Sequence, residues 1–126
     1  PQSQFHNKQN QVFKSGFEPV TSEPIFQKTV NSAFIETNLE TYLRKNQICH
    51  LVVVGLTLPH CVSTTTRMAA NLGFEVTLLA DATASFTLSN KNGQAISPET
   101  IHEINLLSLQ DEFAQILTTE EFLTQV

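Results

Sequence analysis

The sequence has no cluster of basic residues and no long apolar run, and each absence excludes a class of partner. Its 126 residues include 7 Lys and Arg against 12 Asp and Glu, which gives a formal net charge of −5. Because nucleic-acid-binding surfaces carry a basic patch, nucleic acid is not an expected partner. No apolar run approaches the ~18 residues of a membrane span, and no signal peptide is recognisable. We therefore expect a soluble, cytoplasmic protein.

Cysteine is scarce, since the chain contains only Cys49 and Cys61. An apolar run at residues 51–54, typical of a buried strand, separates the two. Roughly six extended residues at ~3.3 Å each would hold the ends of that strand about 20 Å apart. A disulfide needs Cα atoms within roughly 7 Å of each other. Both thiols should therefore be free, which fits a reducing compartment.

Strand and helix signals alternate along the chain, which has the length and apolar content of one domain, residues 1–126. Helices are predicted to begin near Thr37 or Asn38 and near Cys61, Ser97 and Thr119, and the second helix is predicted to end at Gly73. Strands are predicted at residues 25–28, 51–54, 74–80 and 113–117. Strict alternation implies parallel strands with right-handed crossovers. The predicted fold is a Rossmann-like, three-layer α/β/α domain with a parallel sheet.

The segments between these elements are predicted from weaker signals. Residues 1–24 and 85–96 are polar and rich in turn-forming residues, so both are predicted as loops. In the third helix, Ile101, Ile104 and Leu107 repeat every three residues. We predict that these three side chains form the buried face of that helix.

Three reactive side chains are predicted at one edge of the sheet. Cys61 lies where a loop gives way to a helix, and the unpaired N–H groups and dipole of a helix start favour a thiolate. Lys28 and Asp81 are each predicted to lie at the carboxyl end of a strand. Ligands of such sheets bind beyond the carboxyl ends of the strands. Cys61 is therefore the candidate nucleophile.

Several motifs in the same order resemble the isochorismatase-like cysteine hydrolases, which include nicotinamidase and N-carbamoyl amidohydrolases. The matching stretches are Glu23–Lys28, Asn31–Phe34, Thr37–Leu39, Val53–Thr57, Cys61–Val62 and Asp81–Ala84. The resemblance extends from Pro19 to the C-terminus and does not specify the substrate.

The resemblance implies a mechanism in which a thiolate attacks an amide or related carbonyl carbon and a thioester intermediate is hydrolysed. Cys61 matches the family's nucleophile and Lys28 its catalytic lysine. The family's cis peptide bond would fall between Leu56 and Thr57. The backbone N–H groups of Thr57 and Cys61 would then bind the developing oxyanion.

The remaining expectations concern the ligand. Phe34 could line the substrate pocket or pack in the core, and His60 could touch substrate or lie on the loop surface. Some family members bind a metal upstream of the lysine, but only His6 is present there, so no metal and no cofactor are expected. The expected partners are a small-molecule substrate and further copies of the chain, as a homo-oligomer.

The family's third catalytic residue, an aspartate at the end of the first strand, has no counterpart because residues 1–80 contain no Asp. The first strand, which is central in the family's sheet, is not found either. Such a gap would leave backbone groups unpaired. We therefore expect an N-terminally incomplete domain that is truncated or is completed by a piece carrying the missing acid. Pro59, directly before His60 and Cys61, also departs from the family's pattern.

Two functions are compatible with this sequence. The first is a cysteine hydrolase, with Cys61 as nucleophile and Lys28 as its charge partner. The alternative is a non-catalytic family member that retains the fold for assembly. Asp81 could stand in for the missing acid, but its Asp-Ala context matches a non-catalytic family position. The structural role is therefore favoured for Asp81.

Overall fold

The computed structural model describes residues 12–126. The first part of the predicted N-terminal loop, residues 1–11 with His6, lies outside the described residues. The helices are α1 (Leu39–Lys45), α2 (Ser63–Asn71), α3 (Pro98–Leu109) and α4 (Thr119–Gln125), and the strands are β1 (His50–Leu56), β2 (Glu75–Ala84), β3 (Leu88–Ser89), β4 (Ala95–Ile96) and β5 (Gln115–Leu117). Within this described range, no helix has both the length and the apolar character needed to cross a membrane.

Strands β1, β2 and β5 form a parallel sheet in that order. Val53 lies opposite Leu78, and Leu78 lies opposite Ile116. Helix α2 connects β1 to β2, and α3 connects β2 to β5. The predicted α/β class with a parallel sheet is therefore confirmed.

The core lies between the sheet and the helices that follow β1 and β2. Leu58, Ala69, Leu78 and Leu109 are fully buried at its centre. Continuous apolar residues in β2 suit a strand that is covered on both faces, as is usual in parallel sheets. The core thus buries β2, and it anchors the Leu58–Val62 segment that follows β1.

Two helix ends agree with the sequence analysis. Ser97 is the N-cap of α3, where its hydroxyl accepts a hydrogen bond from the Thr100 N–H, and Pro98 occupies the first turn. Gly73 follows α2 with a φ of +94°, in the left-handed region that glycine adopts without strain. Both boundaries depend on local chemistry, which is why the sequence predicts them.

The strand predicted at residues 25–28 is wrong, because this segment is irregular and Ile25 is exposed. No strand of the described chain lies beside it to pair with its backbone. The strand predicted to end before Asp81 instead continues to Ala84 after a change of register with β1. Asp81 therefore lies within β2 rather than at its end.

Two further predictions are wrong. The predicted loop at residues 85–96 contains the antiparallel hairpin of β3 and β4. In α3, Ile101 is buried, but Ile104 and Leu107 are 58% and 62% exposed. Each step of three residues rotates about 300° around a helix, so Ile101 and Leu107 lie about 120° apart. The repeat therefore drifts off the face that the sheet buries.

Candidate active site

The candidate nucleophile lies in a wide turn between β1 and α2. Gly55 precedes it with a φ of +129°, a conformation that other residues rarely adopt, and the Leu56–Thr57 peptide bond is cis. The turn spans Leu58–Val62, and the Val62 N–H donates to the Thr57 carbonyl at 3.3 Å. Because Leu58 and Val62 are both buried, the turn is anchored in the core. Cys61 lies in its last part, partly exposed.

Lys28 reaches this turn from an irregular segment. Its Nζ lies 3.2 Å from Cys61 Sγ and also donates to the Val30 carbonyl at 3.0 Å. An ammonium group at this distance favours negative charge on sulfur. The structure therefore brings together the predicted nucleophile and the predicted lysine, although the strand expected to carry Lys28 does not form.

The segment after Lys28 is fastened to α2 by a residue that sequence reasoning missed. The Thr65 hydroxyl accepts a hydrogen bond from the Ala33 N–H at 3.0 Å and donates to the Asn31 carbonyl at 3.4 Å. Thr65 lies four residues after Cys61, about one helical turn away on the same face. This spacing is the sequence signal that could have identified Thr65 as a neighbour of the site. Asn31, also missed, places its side-chain carbonyl oxygen 3.8 Å from Cys61 Sγ.

The two candidate substrate contacts lie in different surroundings. The Phe34 ring stacks on the Phe74 ring with centroids 5.9 Å apart, so it packs against the core. His60 is exposed, and its Nδ1 lies 2.8 Å from the Thr57 hydroxyl. This hydrogen bond orients the imidazole beside the cis peptide bond and one residue from Cys61.

Asp81 anchors α4 rather than facing the thiol. One of its carboxylate oxygens accepts hydrogen bonds from both the hydroxyl and the N–H of Thr119, each at 2.8 Å. These bonds, the hydroxyl first, hold the pKa of Asp81 below its ordinary value. Asp81 is thus engaged at the start of a helix, which supports its structural interpretation.

No metal centre is evident in the described part of the chain. Residues 12–126 contain no group of three or more His, Cys, Asp and Glu side chains that could hold a metal ion. Both cysteines are free thiols, with Cys49 exposed and Cys61 partly buried.

The fold is an α/β domain with a parallel sheet, and a cysteine and a lysine are in contact near the carboxyl ends of its strands. The protein is therefore an α/β protein whose candidate site contains a thiol. The model of the isochorismatase domain matches residues 3–121. The chain belongs to the isochorismatase family, which confirms the family recognised in its motifs.

Curated relatives include both uncharacterised proteins and amidases. The Bacillus subtilis isochorismatase family protein YrdC is 51% identical over 98% of this chain and 66% of its own length. Nicotinamidase 3 of Arabidopsis thaliana is 30% identical, over 79% of this chain and 44% of the relative. The ureidoacrylate amidohydrolase RutB of Caulobacter segnis is 30% identical, over 83% of this chain and 40% of the relative. Another A. thaliana relative, 33% identical over 75% of this chain and 43% of the relative, is named a probable inactive nicotinamidase.

Solved structures share the fold. An isochorismatase from Pseudomonas putida superposes with a TM-score of 0.84 at 32% identity, covering 88% of this chain and 57% of that one. A cysteine hydrolase from Pseudomonas syringae superposes with a TM-score of 0.86 at 26% identity, covering 90% of this chain and 54% of that one. The chain thus spans just under two thirds of the length of YrdC and less of these solved structures.

Proposed function

We propose that this chain forms the nucleophile-bearing part of a cysteine hydrolase that acts on small amides or related carbonyl compounds. The observation that carries the proposal is the 3.2 Å contact between Cys61 Sγ and Lys28 Nζ. A thiolate rather than a thiol is the reactive form of cysteine, and a neighbouring ammonium group favours it. The kinship with a nicotinamidase and a ureidoacrylate amidohydrolase supports amides as the substrate class.

The proposed reaction has two halves. The Cys61 thiolate adds to the carbonyl carbon, and the N–H groups of Thr57 and Cys61 stabilise the oxyanion that forms. The oxyanion collapses, the C–N bond breaks, and the amine leaves with a proton supplied by a carboxylic acid. Water then hydrolyses the thioester, and its proton returns to the carboxylate. We propose that His60, which is hydrogen-bonded to Thr57, contacts the substrate.

The carboxylic acid that this reaction needs is not among the described hydrogen-bond partners of Cys61. Within residues 12–126, the hydrogen-bond partners of Cys61 Sγ are Lys28 Nζ and Asn31 Oδ1, and neither is a carboxylate. Glu18 and Glu23, which lie nearest to Lys28 upstream in the sequence, accept bonds from local backbone N–H groups instead.

We propose that an additional segment along β1 supplies this acid. Within the described sheet, β1 pairs with β2 on one side only. Val52, Val54 and Leu56 alternate along β1 and share one face of the sheet, and they are between 41% and 60% exposed, so the described chain leaves this face uncovered as well. A further parallel strand at this edge would bring its carboxyl end beside the turn of Cys61.

A non-catalytic role is the second candidate. It is favoured by the absence of a carboxylate partner for Cys61 among the described residues and by the relative named a probable inactive nicotinamidase. In that case the lysine and cysteine would persist as parts of a fold used for assembly. Both candidates are consistent with a cytoplasmic location, which we propose because both cysteines are free.

Ammonia release from nicotinamide and from small N-carbamoyl compounds distinguishes the two functions. In the protein completed by the segment that supplies the acid, we expect Cys61→Ala to abolish release and Cys49→Ala, the matched control, to leave it unchanged. Equal turnover by both variants would contradict a role for Cys61 as nucleophile. If the protein completed in this way releases no ammonia from any of these compounds and Cys61 is also unreactive towards alkylation, the non-catalytic role is supported.

A further inference from the structure

Strand β2 contains a wide bulge directly before the part that pairs with the end of β1. Val53 lies opposite Leu78, but Gly55 lies opposite Thr83. A single residue of β1 thus spans residues 79–82 of β2, which we call the β2 bulge. Bulges interrupt the hydrogen bonds of a ladder, and they occur often beside active sites, where they redirect neighbouring groups.

The last residues of β1 pair with the part of β2 that follows the bulge. Gly55 lies opposite Thr83, and Leu56 lies opposite Ala84. Thr57 comes next in the chain, and its N–H is one of the two groups proposed above to bind the oxyanion. The place of that N–H group therefore depends on where the β2 bulge leaves the residues that follow it.

Two polar side chains hold the β2 bulge. The Thr83 hydroxyl lies 3.2 and 3.1 Å from the carbonyl oxygens of Leu79 and Ala80, to which it can donate. From α3, His102 Nε2 lies 3.0 Å from the Ala80 carbonyl oxygen. Because a carbonyl oxygen can only accept, Nε2 carries a proton and donates it to this bond. The bulge is thus fixed both from within β2 and from a neighbouring helix.

The imidazole of His102 is a costly group to retain for packing alone. Its Nδ1 is buried and has no hydrogen-bond partner among the described residues. An unpaired buried polar atom costs free energy, which an apolar side chain at the same place would not. The bond from Nε2 to Ala80 is the contact that an apolar side chain could not make.

We propose that His102 is a positioning residue for the oxyanion site. Its bond to Ala80 holds the β2 bulge, and the pairs that follow the bulge fix the place of the Thr57 N–H group. This inference rests on the proposed function, and it adds a residue that acts through the backbone rather than by touching the substrate.

The thiol is held by other contacts. Leu58 and Val62 are 0% and 5% exposed, and Cys61 lies between them in the turn. Lys28 Nζ contacts Cys61 Sγ at 3.2 Å. None of these contacts involves the β2 bulge. Loss of the His102 imidazole should therefore weaken oxyanion binding and leave the reactivity of the thiol unchanged.

Two reagents measure these properties separately. Iodoacetamide alkylates a thiolate at a saturated carbon and needs no oxyanion site. An aldehyde needs one, because the Cys61 thiolate adds to the carbonyl carbon, a C–S bond forms, and the C=O π pair moves to oxygen. That oxygen then takes a proton from the solvent to give a thiohemiacetal. NMR of benzaldehyde labelled at its carbonyl carbon distinguishes this saturated carbon from that of an imine formed with lysine.

We expect His102→Phe to lower the affinity for benzaldehyde by about tenfold or more. Its rate of Cys61 alkylation should stay within about twofold of that of the unaltered chain. His102→Gln keeps an N–H donor and should restore the affinity. Thr83→Val, which removes the other bond to the β2 bulge, should act like His102→Phe.

His50→Phe is the matched control. His50 Nε2 lies 2.9 Å from the Thr77 hydroxyl, in the half of β2 that precedes the bulge. This variant loses a histidine contact to the same strand, but it should change neither the affinity for the aldehyde nor the alkylation rate. Thermal unfolding of every variant reports whether it is folded.

The outcomes separate this inference from the proposed function. Equal aldehyde affinity of His102→Phe and the unaltered chain would overturn the inference alone, as would a His102→Gln variant no better than His102→Phe. A parallel loss with both reagents would show a general structural role and would also overturn it. An unaltered chain that forms no thiohemiacetal, although Cys61 alkylates faster than Cys49, would leave no oxyanion site for His102 to position. If Cys61 reacts preferentially with neither reagent, the proposed function fails, and this inference fails with it.

Discussion

β1 and β2 are neighbours in one sheet, yet their side chains lie in different surroundings. Val76, Leu78 and Leu79 of β2 are at most 6% exposed, whereas Val54 and Leu56 of β1 are 54% and 60% exposed. Both strands are apolar, so composition does not distinguish them. The exposed residues of β1 alternate along the strand and therefore share one face, which the described chain leaves uncovered, whereas both faces of β2 are covered in its first half.

The two strands also differ in the side-chain contacts near their carboxyl ends. β1 leads into the turn that holds Cys61 beside Lys28, whereas the last part of β2 holds Asp81 against the start of α4. A partly uncovered strand thus carries the reactive group, and the buried strand carries a structural contact. This contrast predicts which substitutions will change stability and which will change reactivity.

The largest effect on stability should come from the buried strand. Leu78→Ala removes a fully buried side chain, and we expect it to lower the free energy of unfolding by about 2–5 kcal/mol. Val54→Ala, on the neighbouring strand, is the matched control and should cost less than about 1 kcal/mol. Urea denaturation measures both. Equal losses would show that β1 is as well covered as β2.

The largest effect on reactivity should come from Lys28. Lys28→Met keeps an unbranched side chain, one atom shorter, but removes the charge beside Cys61 Sγ. We expect the rate of Cys61 alkylation by iodoacetamide to fall about tenfold at mildly acidic pH, with no change at Cys49. Peptide mass spectrometry reports both rates. An unchanged rate at Cys61 would mean that the ammonium group does not activate the thiol.

Loss of the Thr65 hydroxyl should have a smaller effect on the same site. Thr65→Val leaves the Ala33 N–H without its partner, which should cost about 1 kcal/mol of stability. The segment that carries Lys28 would be held less firmly, so alkylation of Cys61 should slow about threefold. Thr64→Val, an exposed change on the same helix, is the control. If both variants alkylate alike, Thr65 does not position Lys28.

The smallest effect should come from Asp81→Asn. Since hydrogen bonds from Thr119 lower the pKa of Asp81 in the folded state, its charge stabilises the fold above the ordinary pKa of 3.8. That contribution is lost as the pH falls through the lowered folded-state pKa. The unaltered chain should therefore be more stable than Asp81→Asn at neutral pH, and the difference should shrink below about pH 4. A difference that does not vary with pH would exclude this contact as its source.

Features governed by local chemistry were predictable from the sequence. The N-cap at Ser97, the helix stop at Gly73 and the position of Cys61 before α2 all follow from residues within a few positions. The contact of Lys28 with Cys61 joins residues 33 positions apart. It was expected from the family resemblance and from a strand ending at Lys28, but that strand does not form.

Features that depend on distant partners were not predictable. Residues 25–28 are apolar but have no strand to pair with in the described chain, so they remain irregular. Ile104 and Leu107 follow a helical repeat, yet the sheet buries another face of α3. The hairpin strands are only two residues long each, too short for an alternating pattern to be recognised. In each case the tertiary surroundings decide the outcome.

The central claim is that the turn at the end of β1 activates Cys61. Cys49, directly before the same strand, is an internal reference. Cys49 is the more exposed of the two thiols, so access alone would make it react first. The most direct measurement is the ratio of their alkylation rates with iodoacetamide at mildly acidic pH. We predict that Cys61 reacts at least about tenfold faster than Cys49. Equal rates, or a faster Cys49, would contradict the account.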